Sequence, residues 1–261
     1  MPKLKHVYLL SSIIRPAKYS DWINKKSLFM KQLIMLFTVL LSPIVFSAIP
    51  DFASYTDVKQ KKAAYFDYMY PLILAENKKV MQERHVVETG APADKLTVIC
   101  EKYSNTCEQI DQAKRDELLV RVGVIPPSLV LAQGANESAW GTSRFAKQGN
   151  NFFGQWCYSQ GCGLVPKQRN AGTKHEVRKF DSPQQSVGAY IFNLNTGRVY
   201  SSIRKQRASA RANDINPSGY DLASGLTKYS ERGHEYVKEI KSMISYNKLV
   251  KKYDDKFWQE L

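Results

Sequence analysis

The chain has 261 residues, 43% of them hydrophobic, with 38 Lys+Arg against 24 Asp+Glu and a formal net charge of +14. That length accommodates one well-buried main domain with appendages and excludes two large ones. No glycine-rich phosphate loop of either standard spacing occurs, which argues against nucleotide chemistry, and no internal repeat or low-complexity tract is present.

The first element in chain order reads as a secretory signal. Lys31 precedes an apolar run from Leu33 to Phe46 that closes on the small residues Ser47 and Ala48. The run is shorter than the roughly 20 residues of a transmembrane helix. Cleavage near Ser47 or Ala48 is expected, with retention as an uncleaved anchor as the alternative. Residues 1–29 have no helical or alternating period. Either Met30 is the true initiator, or Lys3, Lys5, Arg15, Lys18, Lys25 and Lys26 hold this segment in the cytoplasm by the positive-inside bias. Residues 1–48 carry seven of the basic residues and one acid, so the mature part stays basic and attracts polyanions.

Residues 49–122 read as a helical N-terminal region and 123–261 as the main domain. From Ser54 to about Glu88 aromatics, alanines and leucines recur without glycine; Pro71 predicts two helical pieces or one kinked helix. A turn at Gly90–Ala93 leads to Cys100 and Cys107, then Ile110, Leu118, Leu119 and Val122 mark a helix ending at Gly123. Pro126-Pro127 starts a helix from Ser128 to about Ala139, stopped by Gly141. Gly149-Asn150-Asn151 reads as a loop, 174–180 as a short strand of a small hairpin, and Ser182-Pro183 opens a helix through about Asn195. Arg204, Lys205, Arg207 and Arg211 read as a solvated helix face. Tyr236, Val237, Ile240, Met243 and Ile244 share one face of the C-terminal helix.

The four cysteines form two local pairs, Cys100 with Cys107 and Cys157 with Cys162, and the exported context makes both disulfides. Neither pair has CxxC spacing and the four histidines form no HExxH, so no metal is expected.

The stretch Leu131–Gly141 places Glu137 in the last turn of an apolar helix. There the negative end of the dipole, together with Ala139 and Trp140, raises a carboxyl pKa and suits it to general acid work. The pattern Ala132-Gln133, Glu137-Ser138, Trp140-Gly141 resembles the glucosaminidase family of peptidoglycan hydrolases. Asn151-Phe152-Phe153-Gly154 resembles the family's Asn-x-Phe-Gly loop, and Trp156-Cys157 with Gly161-Cys162-Gly163 resembles an insertion of its Bax-like bacterial branch. The resemblance spans about Gly123 to Ile244.

The resemblance implies a mainly α, lysozyme-like fold, with a helical body and a small β-lobe or hairpin beside a glycan-binding cleft. It implies a second carboxylate on that lobe, for which Glu176 is the matching position. It also implies a tyrosine before the last helix, for which Tyr229 is the candidate although its surroundings depart from the family's. Gln133 and Ser138 of the motif are carried as substrate-binding residues. Sugars are gripped by aromatic faces and planar amides, so Phe153, Gln155, Trp156 and Tyr190 are further candidates for lining the cleft. Trp140 reads as packing the helix end that presents Glu137.

The implied activity is hydrolysis of β-1,4 bonds in peptidoglycan strands by an endo-β-N-acetylglucosaminidase with Glu137 as acid, without cofactor. The protein is expected as a monomer in the periplasm or at the outer face of the inner membrane. No nucleic-acid partner is expected. A muramidase or lytic transglycosylase, or a non-catalytic wall-binding scaffold, are the rival readings.

Overall fold

The computed structural model describes residues 49–167, 169 and 172–261; the export segment and the extension before it lie outside the described residues. Residues Ile49–Leu261 form one compact unit. It is mainly helical with a small antiparallel sheet, as expected. Among the described residues no helix is long and apolar enough to cross a membrane.

Helix α1 (Val58–Thr89) is a single element running through Pro71. Asp57 caps its start by accepting from the Gln60 amide, and Gly90 ends it in the left-handed conformation at φ 71°. Proline removes one backbone bond of the helix. Burial of Tyr65, Phe66, Met69 and Ile73 on both sides of it supplies the packing that holds the element together. Helices α2 (Ala93–Tyr103) and α3 (Gln112–Arg121) pack on α1. The Cys100–Cys107 disulfide ties the end of α2 to the following loop.

Helix α4 (Pro127–Glu137) is the centre of the body. Every residue from Pro127 to Ala135 is buried, and α1, α8 (Gly219–Leu222) and α9 (His234–Tyr246) surround it. Each large apolar side chain on it, such as Leu129 or Leu131, contributes about 1.5 to 3 kcal/mol by leaving water. Only its last turn reaches the surface.

The other end of α4 is held by a buried carboxylate. Asp254, in a π-helical turn (Val250–Asp254) before α10 (Asp255–Glu260), accepts from the Ser128 amide at 2.8 Å and the Ser128 hydroxyl at 2.6 Å. It also accepts from the Gly219 amide at 2.9 Å. Negative charge at a helix N-terminus is favourable, but burial dominates and pushes this carboxyl up to about 6.

Helix α5 (Arg144–Gly149) leads into the lobe, and α6 (Pro183–Thr196) and α7 (Ser201–Ala212) complete the body. The arginines expected on a solvated face of α7 are placed otherwise. Arg207 is fully buried and donates to the carbonyls of Val120, Arg121, Gly123 and Val124 and to Asn195, closing the C-terminal end of α3. Arg204 is buried and donates to the carbonyls of Leu194 and Gly197; only Lys205 is fully exposed. A guanidinium offers five donors in one plane, so a cluster of orphan helix-end carbonyls can hold it without an acid; both terminal nitrogens of Arg207 are engaged and its Nε is buried without a partner among the described residues.

Of the small β-lobe or hairpin that was expected, the structure has the lobe, a three-stranded antiparallel sheet of order β1-β3-β2: β1 (Trp156–Cys157), β2 (Gly163–Leu164) and β3 (Glu176–Arg178). Trp156 pairs with Val177 and Gly163 with Arg178. A Cβ on Gly163 would sit 2.0 Å from the Val177 carbonyl oxygen, so only glycine allows this approach. The Cys157–Cys162 disulfide closes the loop between β1 and β2.

Candidate active site

Glu137 is the last residue of α4, and the chain turns away from it abruptly. The Trp140 amide donates to the Ala135 carbonyl at 2.8 Å across Ala139, which is left-handed at φ 50°. That is a Schellman closure with alanine where glycine is usual. Trp140 and Gly141 follow at φ 60° and 76°, giving three left-handed residues in a row. The helix thus closes two residues before Gly141, the expected stop. Gly141 serves a different purpose: a Cβ there would lie 2.4 Å from the Phe52 ring. Non-glycine residues are disfavoured at positive φ, so surrounding structure has to over-determine the turn. Ser138 does this, donating to the Gly134 carbonyl and accepting from the Gly141 amide, while Trp140 packs edge-on against Tyr65 and Phe66.

The Glu137 carboxyl is half-buried. Burial raises its pKa, partly offset by hydrogen bonds from Tyr236 and Asn136. The nearby carbonyl end of α4 acts in the same direction as burial. Glu137 Oε1 accepts from the Tyr236 hydroxyl at 2.8 Å. Oε2 lies beside the glycine of the Phe153-Gly154 turn, where a Cβ would stand 3.8 Å away. Behind the carboxyl runs a chain of donors. Tyr190 donates to Gln133 Oε1, Gln133 Nε2 donates to the Tyr236 oxygen at 2.9 Å, and Tyr236 donates to Glu137. Each bond therefore points toward the carboxyl.

Several residues expected to touch substrate are placed elsewhere. Gln133 and Ser138 are fully buried, the first bridging two tyrosines and the second bracing the turn. Phe153 and Tyr190 are buried and stacked on each other at 4.2 Å, filling the core under the Gly154 turn. Tyr229 donates to the Phe153 carbonyl at 3.1 Å and stacks on Tyr236 at 5.2 Å, so it supports both walls beside Glu137, whose charge adds to burial in raising the Tyr229 pKa. Gln155 is half-buried against Ser186, and Trp156 alone of the aromatic candidates is exposed. Glu176 was expected as a second cleft carboxylate. Its two oxygens accept from the Gly161 and Gly163 amides at 3.0 and 2.8 Å, and these bonds hold it ionised, below the usual carboxylate range.

The residue that sequence reasoning missed is Tyr236. Its place on the apolar stripe of α9 marked it as core, and only its hydroxyl, the one polar group on that stripe, signalled a buried partner. Arg232 and Glu239, paired at 2.7 Å, flank the same carboxyl and act on its charge in opposite senses.

A family model described as mannosyl-glycoprotein endo-beta-N-acetylglucosaminidase matches residues 113–249. The chain belongs to the glucosaminidase family. It is 32% identical over 213 residues to Protein bax of Escherichia coli (strain K12), covering 77% of this chain and 75% of that protein. No solved structure matches the chain. The mainly α body with its small β-lobe is the lysozyme-like fold of the glucosaminidases. Family membership supports glycan hydrolase activity in general class. The matched span begins inside α3 and holds α4, the lobe, α6 and α9, so every element contributing to the Glu137 surroundings lies within it, apart from the packing of α1.

Proposed function

We propose that the protein hydrolyses β-1,4 glycosidic bonds in the glycan strands of peptidoglycan, as an endo-β-N-acetylglucosaminidase with Glu137 as general acid. The observation that carries this reading is the Glu137 carboxyl itself. It is half-buried at the end of a buried helix, raised in pKa by that burial, and fixed through Oε1 by Tyr236. A carboxyl whose Oε1 accepts a hydrogen bond keeps its proton on Oε2, the oxygen beside Gly154. From there it passes to the glycosidic oxygen as the bond to the anomeric carbon breaks.

Glu176 is proposed as a positioning carboxylate of the lobe, since both its oxygens are engaged by backbone amides. The anomeric carbon would then be attacked by the substrate's own N-acetyl oxygen or by water, both of which are known routes of glycoside hydrolysis. Tyr229, Gln133 and Tyr190 hold the Tyr236 and Phe153 walls. No cofactor enters these steps, and the protein acts as a monomer.

The two disulfides fit an oxidising compartment. With residues 30–48 as the export signal, the site of action is the periplasm or the outer face of the inner membrane of a bacterium.

The test is digestion of purified sacculi followed by borohydride labelling and mass spectrometry of the fragments. N-acetylglucosamine at the new reducing ends is the expected product. N-acetylmuramic acid ends would assign a muramidase, anhydro sugars a lytic transglycosylase, and no cleavage a wall-binding scaffold.

A further inference from the structure

Trp156 is 56% exposed, and its ring is stacked on His175 at 4.0 Å and 16°. The imidazole covers one face of the indole.

The backbone beneath it is fixed on every side. Trp156 pairs with Val177 in the sheet, Cys157 is bonded to Cys162, and Glu176 takes the amides of Gly161 and Gly163. The ring pair is therefore a rigid platform, which binds a flat apolar face without first being ordered. Its place along the chain is also informative. Gly154 borders Glu137 Oε2, and Trp156 follows two residues later, at most about 7.6 Å away between Cα atoms. That is the span of a sugar unit or two along a strand.

Charge adds a second feature. Between residues 155 and 180 the chain carries Lys167, Arg169, Lys174, Arg178 and Lys179, all exposed, and one acid, Glu176, which is turned inward on the loop amides. Arg178 lies over the Phe180 ring and Arg169 donates to the His175 carbonyl at 3.4 Å, while Lys167, Lys174 and Lys179 are exposed. A neutral glycan makes no use of such a field, whereas a strand bearing carboxylates does.

We propose that Trp156 and His175 form a subsite that stacks against the C–H face of an N-acetylhexosamine near the scissile bond, and that the surrounding cations favour strands carrying carboxylate substituents. This rests on the glycan-hydrolase reading and adds a binding site to it.

The experiment measures binding in the Glu137→Gln background of the full mature chain, with two probes: a soluble N-acetylglucosamine hexamer by calorimetry, and purified sacculi by sedimentation. Trp156→Ala weakens both by about tenfold. His175→Ala weakens both several-fold, and His175→Phe, which retains a stacking ring, restores them. The double variant Lys167→Glu/Lys174→Glu weakens sacculus binding and leaves the hexamer unchanged, a difference that disappears at about 0.5 M salt.

Trp156→Ala binding both probes within about twofold of the parent, with an unchanged circular dichroism spectrum, overturns the platform. Failure of His175→Phe to restore binding removes His175 from it. Charge reversal that weakens both probes equally, or neither, removes the selection for carboxylates. If the Glu137→Gln protein still cuts sacculi, the acid assignment fails on its own, because the affinity ratios are read separately from turnover.

Discussion

The Tyr236 hydroxyl donates to Glu137 Oε1 at 2.8 Å across a separation of 99 residues. That bond favours the charged carboxylate and so opposes the burial that raises the Glu137 pKa. Tyr236→Phe removes the opposing influence, and the Glu137 pKa rises further. A general acid is active while protonated, so the alkaline limb of the kcat/KM profile moves to higher pH in the variant. At the same time kcat falls, because the carboxyl loses the contact that keeps its proton on Oε2. The pH–rate profile of the purified variant on sacculi checks both. A profile unchanged in position would separate Tyr236 from the acid.

Glu137→Gln keeps the size of the side chain and the bond from Tyr236 but has no proton to give. Loss of general-acid catalysis lowers turnover roughly 10² to 10⁴-fold, about 3 to 5 kcal/mol of barrier. Release of reducing ends, with circular dichroism to confirm the fold, measures it. Near-parental rates from a folded variant would mean that the reacting group lies elsewhere.

How much of this was legible beforehand follows from the kind of signal each residue carries. The motif around Glu137 could be read because it is local: six matching residues within one helix and its cap. The helices flanking proline and glycine breakers were found for the same reason. Two other features depend on partners far away in the chain. Arg207 is fully buried on carbonyls of residues 120–124, and nothing in the spacing of 204–211 distinguishes such an arginine from one on a wet face. Gln133 and Tyr190 look like sugar-binding residues by composition. Their mutual hydrogen bond, made across 57 residues, takes them out of the cleft.

Gln133 therefore gives a prediction about stability. Gln133→Leu fits the buried space but strands the hydroxyl of Tyr190, at about 1 to 3 kcal/mol, and removes the bond that Tyr236 accepts while leaving the one it donates to Glu137. For a folded unit of this size, each kcal/mol lowers Tm by roughly 2 to 4 °C, so a fall of several degrees is expected, with KM little changed. A raised KM at an unaltered Tm would instead return Gln133 to the substrate.

The two disulfides are expected to respond differently to removal. Each closes a short loop, worth about 2 to 3 kcal/mol in the chain-entropy account. Cys100 is buried in the main core, so the Cys100→Ser/Cys107→Ser protein unfolds at lower denaturant as a whole. Cys157–Cys162 lies in the lobe, so its double serine variant exchanges amide hydrogens faster around β1 and β2 while the midpoint of global unfolding moves less. Hydrogen-exchange mass spectrometry beside a urea titration distinguishes the two patterns. Equal global losses from both pairs would show that the lobe does not open on its own.

Asp254 sets a pH dependence whose sign is opposite to that of most carboxylates. Its pKa is raised from the ordinary 3.8 to about 6, chiefly by burial, although Ser128 and Gly219 donate to it. A group whose folded pKa is raised favours the folded state while protonated. Its contribution is complete below about pH 4 and is lost as pH rises through about 6. The rise corresponds to about 3 kcal/mol between pH 4 and pH 7. Asp254→Asn cannot ionise, so this part of the pH dependence disappears. It keeps one acceptor oxygen for Ser128 or Gly219 and leaves one backbone amide facing its NH₂ group, which lowers stability at pH 4 relative to the parent. Urea unfolding of both proteins at pH 4 and pH 7 gives the comparison as a difference of differences, in which the other titrating groups cancel. The variant should lose less stability than the parent on going to pH 7, by about 3 kcal/mol. Parallel pH curves for the two proteins would show that Asp254 is already ionised at pH 4, with its three donors outweighing its burial.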